Sequence, residues 1–150
     1  MPRKIIILEN IRSAYNVGNV IRTADALGRE VRITGYTPSP LDHPKVKKTS
    51  LGAEDSVALK QFDYTSDAIA YAKEQKIWVI AAEITPDAID LQSFSENNRA
   101  DIAIVFGNEV EGVFPETLKA VDQVVFIPMQ WVKESLNIGQ STAIFMRALR

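Results

Sequence analysis

The sequence predicts an α/β protein: a mostly parallel sheet with helices on both faces. Two observations carry the assignment. Continuous apolar runs rich in β-branched residues recur at Lys4–Leu8, Ile77–Ala82, Ile102–Gly107 and Val124–Met129, as strands buried on both faces require. Between them lie segments whose apolar residues return at helical spacing, and strands interleaved with helices imply crossover connections.

Taken in order, Lys4–Leu8 is the first strand. Val17, Val20, Ile21, Ala24 and Leu27 then mark one face of a helix that stops at Gly28, a natural C-cap. Val31–Gly35 reads as the second strand. Tyr36–Ala53 is a long connection rich in Pro and Lys, more in keeping with a functional loop than with a passive tether. Ser66–Gln75 is a helix and Ile77–Ala82 a strand. Ile102–Gly107 is another strand, Pro115–Ala120 a short helix with Pro in its first turn, and Val124–Met129 the last strand. Ile138–Leu149 closes the chain as a helix apolar on most sides, hence buried.

With 150 residues, 46% hydrophobic and 24% charged, the chain reads as one domain over 1–150 that can bury a full core. It contains no cysteine, which excludes disulfides, thiolate zinc sites, iron–sulfur clusters and a cysteine nucleophile. The single histidine, His43, argues against a histidine-centred triad or a multi-histidine metal site, so no metal is expected. Apolar runs such as Ile5–Leu8 fall far short of the ~20 residues that span a bilayer, and the N-terminus lacks a signal-peptide pattern. The expected compartment is the cytoplasm, with no membrane partner. Charge is uneven along the chain: residues 1–48 carry nine Lys/Arg against four Asp/Glu, whereas the remainder is net acidic. Half of the molecule could therefore face phosphate, although clustered charge on solvated surfaces would give the same count.

Ligands of open parallel sheets bind beyond the carboxyl ends of the strands. Three loops there stand out: Asn10–Asp25 after the first strand, Phe106–Gly112, and Ile127–Asn137 running into the last helix. Singly, each reads as ordinary turn chemistry: Asn16 as a helix cap, Gly18 easing a turn, Arg22 pointing to water, a solvated carboxylate at Glu109, a cap at Ser135–Asn137. Their recurrence at three strand ends is harder to ascribe to capping. No two glycines are spaced Gly-x-Gly and no Walker A pattern occurs, so the dinucleotide fingerprint, the ordinary Rossmann methyltransferase glycine loop and the P-loop are all missing. Gly107, Pro128 and the Ser135–Asn137 turn instead offer main-chain groups at close approach, which suits a compact, bent ligand.

These segments resemble, in order and spacing, the three motifs of the SpoU/TrmH branch of the SPOUT methyltransferases. They are Asn-x-Gly-x-x-x-Arg-Thr-Ala at Asn16–Ala24, Phe-Gly-x-Glu-x-x-Gly at Phe106–Gly112, and Ile-Pro-Met followed by Ser-Leu-Asn at Ile127–Asn137. The sequence departs from many relatives in continuing Ile138-Gly139 where they have Val-Ser. The resemblance implies an S-adenosylmethionine-dependent RNA ribose 2′-O-methyltransferase, a C-terminal deep trefoil knot and a homodimer with active sites at the subunit interface. It implies a methyl-donor site at Gly107, Ile127, Met129 and Leu136, with the strand end near Ala81 alongside. Arg22, Asn16, Glu109, Ser135 and Asn137 would form the reacting centre.

Methyl transfer to a hydroxyl needs neither metal nor protein nucleophile, so the absence of cysteine costs it nothing. A guanidinium with a pKa above ~12 is a poor base, so Arg22 is read as orienting the ribose and its phosphate and favouring the developing alkoxide, with Glu109 holding Arg22 or Asn16 in place. RNA phosphates would fall to Arg12, Lys45, Lys47 and Lys48, and Tyr15 or Trp131 could stack on a base, though both equally suit ordinary packing. The lack of room before Lys4 for a separate RNA-binding domain points to tRNA rather than rRNA. Two rivals stand beside this reading: a catalytically silent RNA-binding homodimer of the same fold, and a small-molecule nucleotide-binding domain. The joint presence of Arg22, Asn16, Glu109 and Asn137 favours the enzyme.

Overall fold

The computed structural model describes residues 2–97, 100–130 and 136–149. Its strands are β1 (Lys4–Glu9), β2 (Glu30–Thr34), β3 (Leu59–Phe62), β4 (Trp78–Ala82), β5 (Ile89–Asp90), β6 (Ile102–Phe106) and β7 (Gln123–Phe126). Its helices are α1 (Ala14–Ala26), α2 (Pro44–Ser50), α3 (Thr65–Glu74), α4 (Leu91–Asn97), α5 (Pro115–Ala120) and α6 (Ile138–Ala148), with one 3-10 turn at Ala53–Asp55. The strands form one sheet in the order β3-β2-β1-β6-β4-β7-β5, and every pairing is parallel.

The expected α/β class is therefore observed, and alternate strand residues explain both faces. Ile6 and Leu8 of β1 pack with α1, α2, α4 and α6 through Val17, Ile21, Val46, Phe94 and Phe145. Ile5 and Ile7 point the other way, to Ala68, Ile69 and Ala72 of α3 and to Leu118 of α5. Because both faces are covered, all six residues of β1 and all five of β6 are buried, and Ile5–Leu8 and Ile102–Phe106 read as unbroken apolar runs.

Four elements escape the sequence reading. The Tyr36–Ala53 connection is not a plain loop: it holds α2, whose buried residues are only Val46 and Ser50. β3 is an edge strand with Lys60 and Gln61 exposed, so it has no apolar run to betray it. β5 and α4 are too short to set up a period. The last strand also ends at Phe126 rather than Met129, because Pro128 cannot donate to a ladder. α6 buries one side, through Ile138, Thr142, Phe145 and Met146, while Ile144 is exposed; it is not apolar all round. The expected knot involves a stretch that includes residues 131–135, outside the described residues.

α1 starts at a Ser13 cap, whose hydroxyl accepts the Asn16 N–H at 3.2 Å, so Asn16 is not the cap. It ends as expected at Gly28, which takes φ 66° while the Gly28 and Arg29 amides close back on Asp25 and Ala24. Gly18 lies mid-helix and eases no turn. A β-carbon there would meet the Ser50 amide at 2.9 Å and press harder still on Thr49 Oγ1 and the Val46 carbonyl, so glycine is what lets α2 lie against α1.

Candidate active site

The strand order sets the site. From β1 the chain steps to β2 and β3 on one side, then returns to build β4 and β6 on the other, so the order reverses between β1 and β6. β1 leads to α1 on one face, and β6 leads to α5 on the opposite face. The two connections diverge and leave a crevice at the carboxyl ends.

Glu109, just past β6, reaches across that crevice. Its carboxylate accepts the backbone N–H groups of Arg12 at 2.9 Å and Ser13 at 3.0 Å, at the positive end of α1. Burial against the loop pushes its carboxyl up, but the amides of Arg12, of Glu109 itself and of Ser13, with the Asn16 side chain, outweigh this and hold it below the usual range. The Asn16 side chain lies near enough to Glu109 to contribute to that lowering, whereas Arg22 makes no hydrogen bond or ion pair with Glu109 among the described residues. From the third segment, Asn137 caps α6 by accepting the Gly139 N–H at 2.7 Å, and its amide nitrogen donates to Asn16 Oδ1 at 3.4 Å.

Asn108 shapes the loop that presents Glu109. Buried itself, it accepts the Val110 and Glu111 amides through Oδ1 and donates through Nδ2 to the Asn10 carbonyl and the Tyr36 hydroxyl, at 2.6–2.9 Å. Glu83, after β4, braces the same loop by accepting the Val113 N–H at 3.2 Å. Asn108 falls within the Phe106–Gly112 segment without a role assigned from sequence, and Glu83 lies outside all three segments. The signal for Glu83 is the one that singled out Glu109, a carboxylate directly beyond a buried strand.

Behind these groups lies a cavity of about 490 Å³, a size common for cofactor sites. Phe106, Phe145, Ile127, Met129 and Leu136 supply an apolar wall, and Glu83, Asn108, Glu109 and Asn137 supply polar groups. Phe106 and Phe145 meet edge to face at 5.3 Å, fixing the floor. At Gly107 the backbone of Gly112 and Val113 crosses where a β-carbon would stand, so the loop closes over the cavity only because residue 107 is glycine. Apolar wall, exposed main chain and dispersed polar groups fit a flat heteroaromatic ligand with polar ends, as S-adenosylmethionine is.

The family model for the SpoU rRNA methylases matches residues 3–147. The chain belongs to the SpoU rRNA methylase family. Among its relatives, a tRNA (guanosine(18)-2′-O)-methyltransferase from Borreliella burgdorferi is 31% identical over 144 residues, covering 95% of this chain and 64% of that protein. The 23S rRNA (guanosine-2′-O-)-methyltransferase RlmB of Escherichia coli K12 is 28% identical, covering 93% and 56%. The chain thus spans about three fifths of the length of such SpoU relatives. An AdoMet-bound rRNA methyltransferase from Sinorhizobium meliloti superposes with a TM-score of 0.88 at 23% identity, covering 99% of this chain and 56% of that one, which shows the shared fold. A structure described as giving insight into 2-OH methylation of C/U34 on tRNA superposes with a TM-score of 0.85 at 25% identity, covering 99% of this chain and 94% of that one.

Within this SpoU chain the expected donor-site residues Gly107, Ile127, Met129 and Leu136 all line the cavity. Ala81 does not: it is wholly buried on the α3/α5 face, and its neighbours Ala82, Glu83 and Ile84 line the cavity instead. The shift follows from strand pleat, since adjacent residues face opposite ways. Asn16, Glu109 and Asn137 come together, whereas Ser135 and Trp131 lie outside the described residues. Arg22 stands apart from the cavity lining, exposed on the outer face of α1 with Tyr15 and Asn19. Arg12, Lys45, Lys47 and Lys48 are exposed, the lysines on α2. Among the described residues no group of acids and histidine could hold a metal ion, and no helix is long and apolar enough to cross a membrane.

Proposed function

We propose that the chain is an S-adenosylmethionine-dependent RNA methyltransferase that places a methyl group on a ribose 2′-hydroxyl, with tRNA as substrate. It would work as a cytoplasmic homodimer without a metal. The observation that carries this is the convergence of the three motifs: Glu109 clasps the amides at the start of α1, and Asn137 meets Asn16, all at the mouth of the 490 Å³ cavity. The names of the relatives, each a 2′-O-methyltransferase, support the chemistry. The tRNA structure of nearly equal span supports the choice of substrate.

In this reading Gly107, Ile127, Met129, Leu136 and the Ala82–Ile84 stretch hold the methyl donor, which when bound supplies an electrophilic methyl on a sulfonium. Glu109, ionised and fully engaged with backbone donors, does not move protons; it fixes the α1 terminus that borders the site. Asn16 and Asn137, linked to each other, place polar groups where a ribose would sit, and Ser135 belongs with Asn137 to the third motif. Arg22, projecting from the outer face of α1, acts on the RNA ribose and phosphate rather than on the donor, and in a dimer it serves the partner's cavity. Its charge favours the alkoxide as the hydroxyl proton leaves to phosphate or water. Arg12, Lys45, Lys47 and Lys48 bind phosphates.

The test is incubation with methyl-labelled donor and total cellular RNA, then digestion to nucleosides. Label in a 2′-O-methylnucleoside of the tRNA fraction is the expected result. Label on a base, or binding of RNA without transfer, would overturn it, the latter in favour of the silent RNA-binding dimer.

A further inference from the structure

A second cavity, of about 450 Å³, opens at the carboxyl ends of β1, β2 and β3, and neither the motifs nor the donor site use it. Two of its lining side chains are strongly exposed aromatics, Tyr36 at 59% and Tyr64 at 69%. Water-facing tyrosines inside a concave site are poised for a flat partner. The charged lining is acidic throughout: Glu9, Asp63 and Glu116, with no Lys or Arg among the described residues. Glu9 is already occupied by the Phe114 amide and the Thr117 hydroxyl, whereas Asp63 and Glu116 are exposed and form no ion pair among the described residues. Such a lining repels phosphate and accepts from N–H groups.

The cavity is also wired to the candidate active site. Asn108 lines the donor cavity and donates to the hydroxyl of Tyr36, which lines the second cavity, so one 2.6 Å hydrogen bond forms the shared wall. A polymer whose reacting ribose sits at Asn16 and Asn137 would extend an adjoining unit past Asn108 towards Tyr36.

We infer that this second cavity is a nucleobase subsite that takes an unstacked guanine of the substrate RNA, held between Tyr36 and Tyr64 with its N1–H and N2 amino group on Asp63 or Glu116. Guanine fits because it offers two adjacent donors to a carboxylate's two oxygens, and single-stranded RNA is commonly read by aromatic stacking plus hydrogen bonds to base edges. The inference rests on RNA being the substrate, so its test is arranged in two arms.

In the first arm, guanosine and inosine are titrated into the full chain by ligand-observed NMR, with and without S-adenosylmethionine. Guanosine should bind more tightly than inosine, which lacks the N2 amino group, and the donor should not displace it. Tyr64→Ala should weaken guanosine by roughly 10-fold or more, the scale of one lost stacking contact. Glu116→Gln and Asp63→Asn together should erase the preference over inosine. Displacement by the donor, or equal binding to all variants, overturns the proposal. In the second arm, methyl transfer to unfractionated tRNA should show KM raised about 10-fold in Tyr64→Ala with kcat and donor affinity little changed. An unchanged KM with active wild-type protein overturns the subsite. If the wild type methylates no RNA while guanosine still binds as described, the catalytic reading falls and the nucleobase site stands.

Discussion

Substituting alanine at Gly18 sets local propensity against packing, with opposite signs. In the interior of a free helix, glycine to alanine stabilises by about 0.8–1 kcal/mol. Here Gly18 is buried where α1 meets α2, and an added methyl would stand 2.9 Å from the Ser50 amide and nearer still to Thr49 Oγ1 and the Val46 carbonyl. Thr49 could rotate away, but only by giving up its hydrogen bond to the Tyr15 carbonyl at 2.8 Å. The other two groups are backbone, so α2 as a whole must move. Overpacking of a well-packed contact costs about 1–3 kcal/mol and more where backbone must shift, so the collision should outweigh the propensity gain. Net destabilisation of about 1–2 kcal/mol corresponds to a fall in Tm of roughly 2–8 °C for a chain of this size. Because α2 carries Lys45, Lys47 and Lys48, the same displacement should weaken RNA binding while leaving donor binding intact. A thermal melt, a tRNA titration and a donor titration on Gly18→Ala measure these effects. A variant that melts at or above the wild type would refute the close α1–α2 contact as the reason for glycine.

Two further outcomes are expected, one from the position of Arg22 and one from the contacts of Glu30. Arg22→Ala should lower kcat by roughly 10²–10³-fold with donor affinity unchanged, and Arg22→Lys should recover part of it; near-wild-type turnover in single-turnover assays would reduce Arg22 to a surface residue. Glu30 is drawn down to about 2, first by its hydrogen bond from Arg3, against the opposing effect of burial, then by Arg32. Its contribution is complete above about pH 4.5, where the unfolded carboxyl is ionised, and fades as pH falls towards about 2. With Arg3 40% exposed, screening limits it to about 1–2 kcal/mol. Melts of wild type and Glu30→Gln should therefore converge across that window, and a constant gap would refute the assignment.

How far the sequence could be read depended on where each residue faces. β1 and β6 are legible because burial on both sides leaves Ile5–Leu8 and Ile102–Phe106 without a polar interruption, and α1 is legible because Val17, Val20, Ile21 and Ala24 keep one stripe. β3, with Lys60 and Gln61 facing water at the sheet edge, and α2, tied down by Val46 and the notch at Gly18, leave no period to find. In the site, side chains that line the cavity through motif positions could be placed from spacing, as with Gly107 and Leu136. Ala81 could not, since a shift of one residue in a strand reverses the face. Nor does spacing reveal that Glu109 spends its carboxylate on amides from 96 and 97 positions away.

The same distinction between inward and outward side chains changes what the basic first third can do. Of its nine cations, four are committed internally. Arg3 and Arg32 pair with Glu30 at 2.8 Å, Lys4 donates to the Ala100 carbonyl, and Arg29 caps α6 through the Met146 and Leu149 carbonyls at 3.0 and 3.2 Å. Arg12, Arg22, Lys45, Lys47 and Lys48 remain exposed, and all belong to α1, α2 or the loop before α1. Each phosphate neutralised contributes about 0.7–0.9 to the slope of log affinity against log salt, so five contacts give about 4 per chain engaged, where nine would give about 7. Replacing Lys45, Lys47 and Lys48 with alanine should shallow that slope by about 2–3, and Arg32→Gln should leave it unchanged even though the melt falls. Filter binding of tRNA over a salt series decides the matter. If Arg32→Gln flattens the slope as much as the lysine variant does, the inward cations are not inward when RNA is bound, and the division of charge between core and RNA surface is wrong.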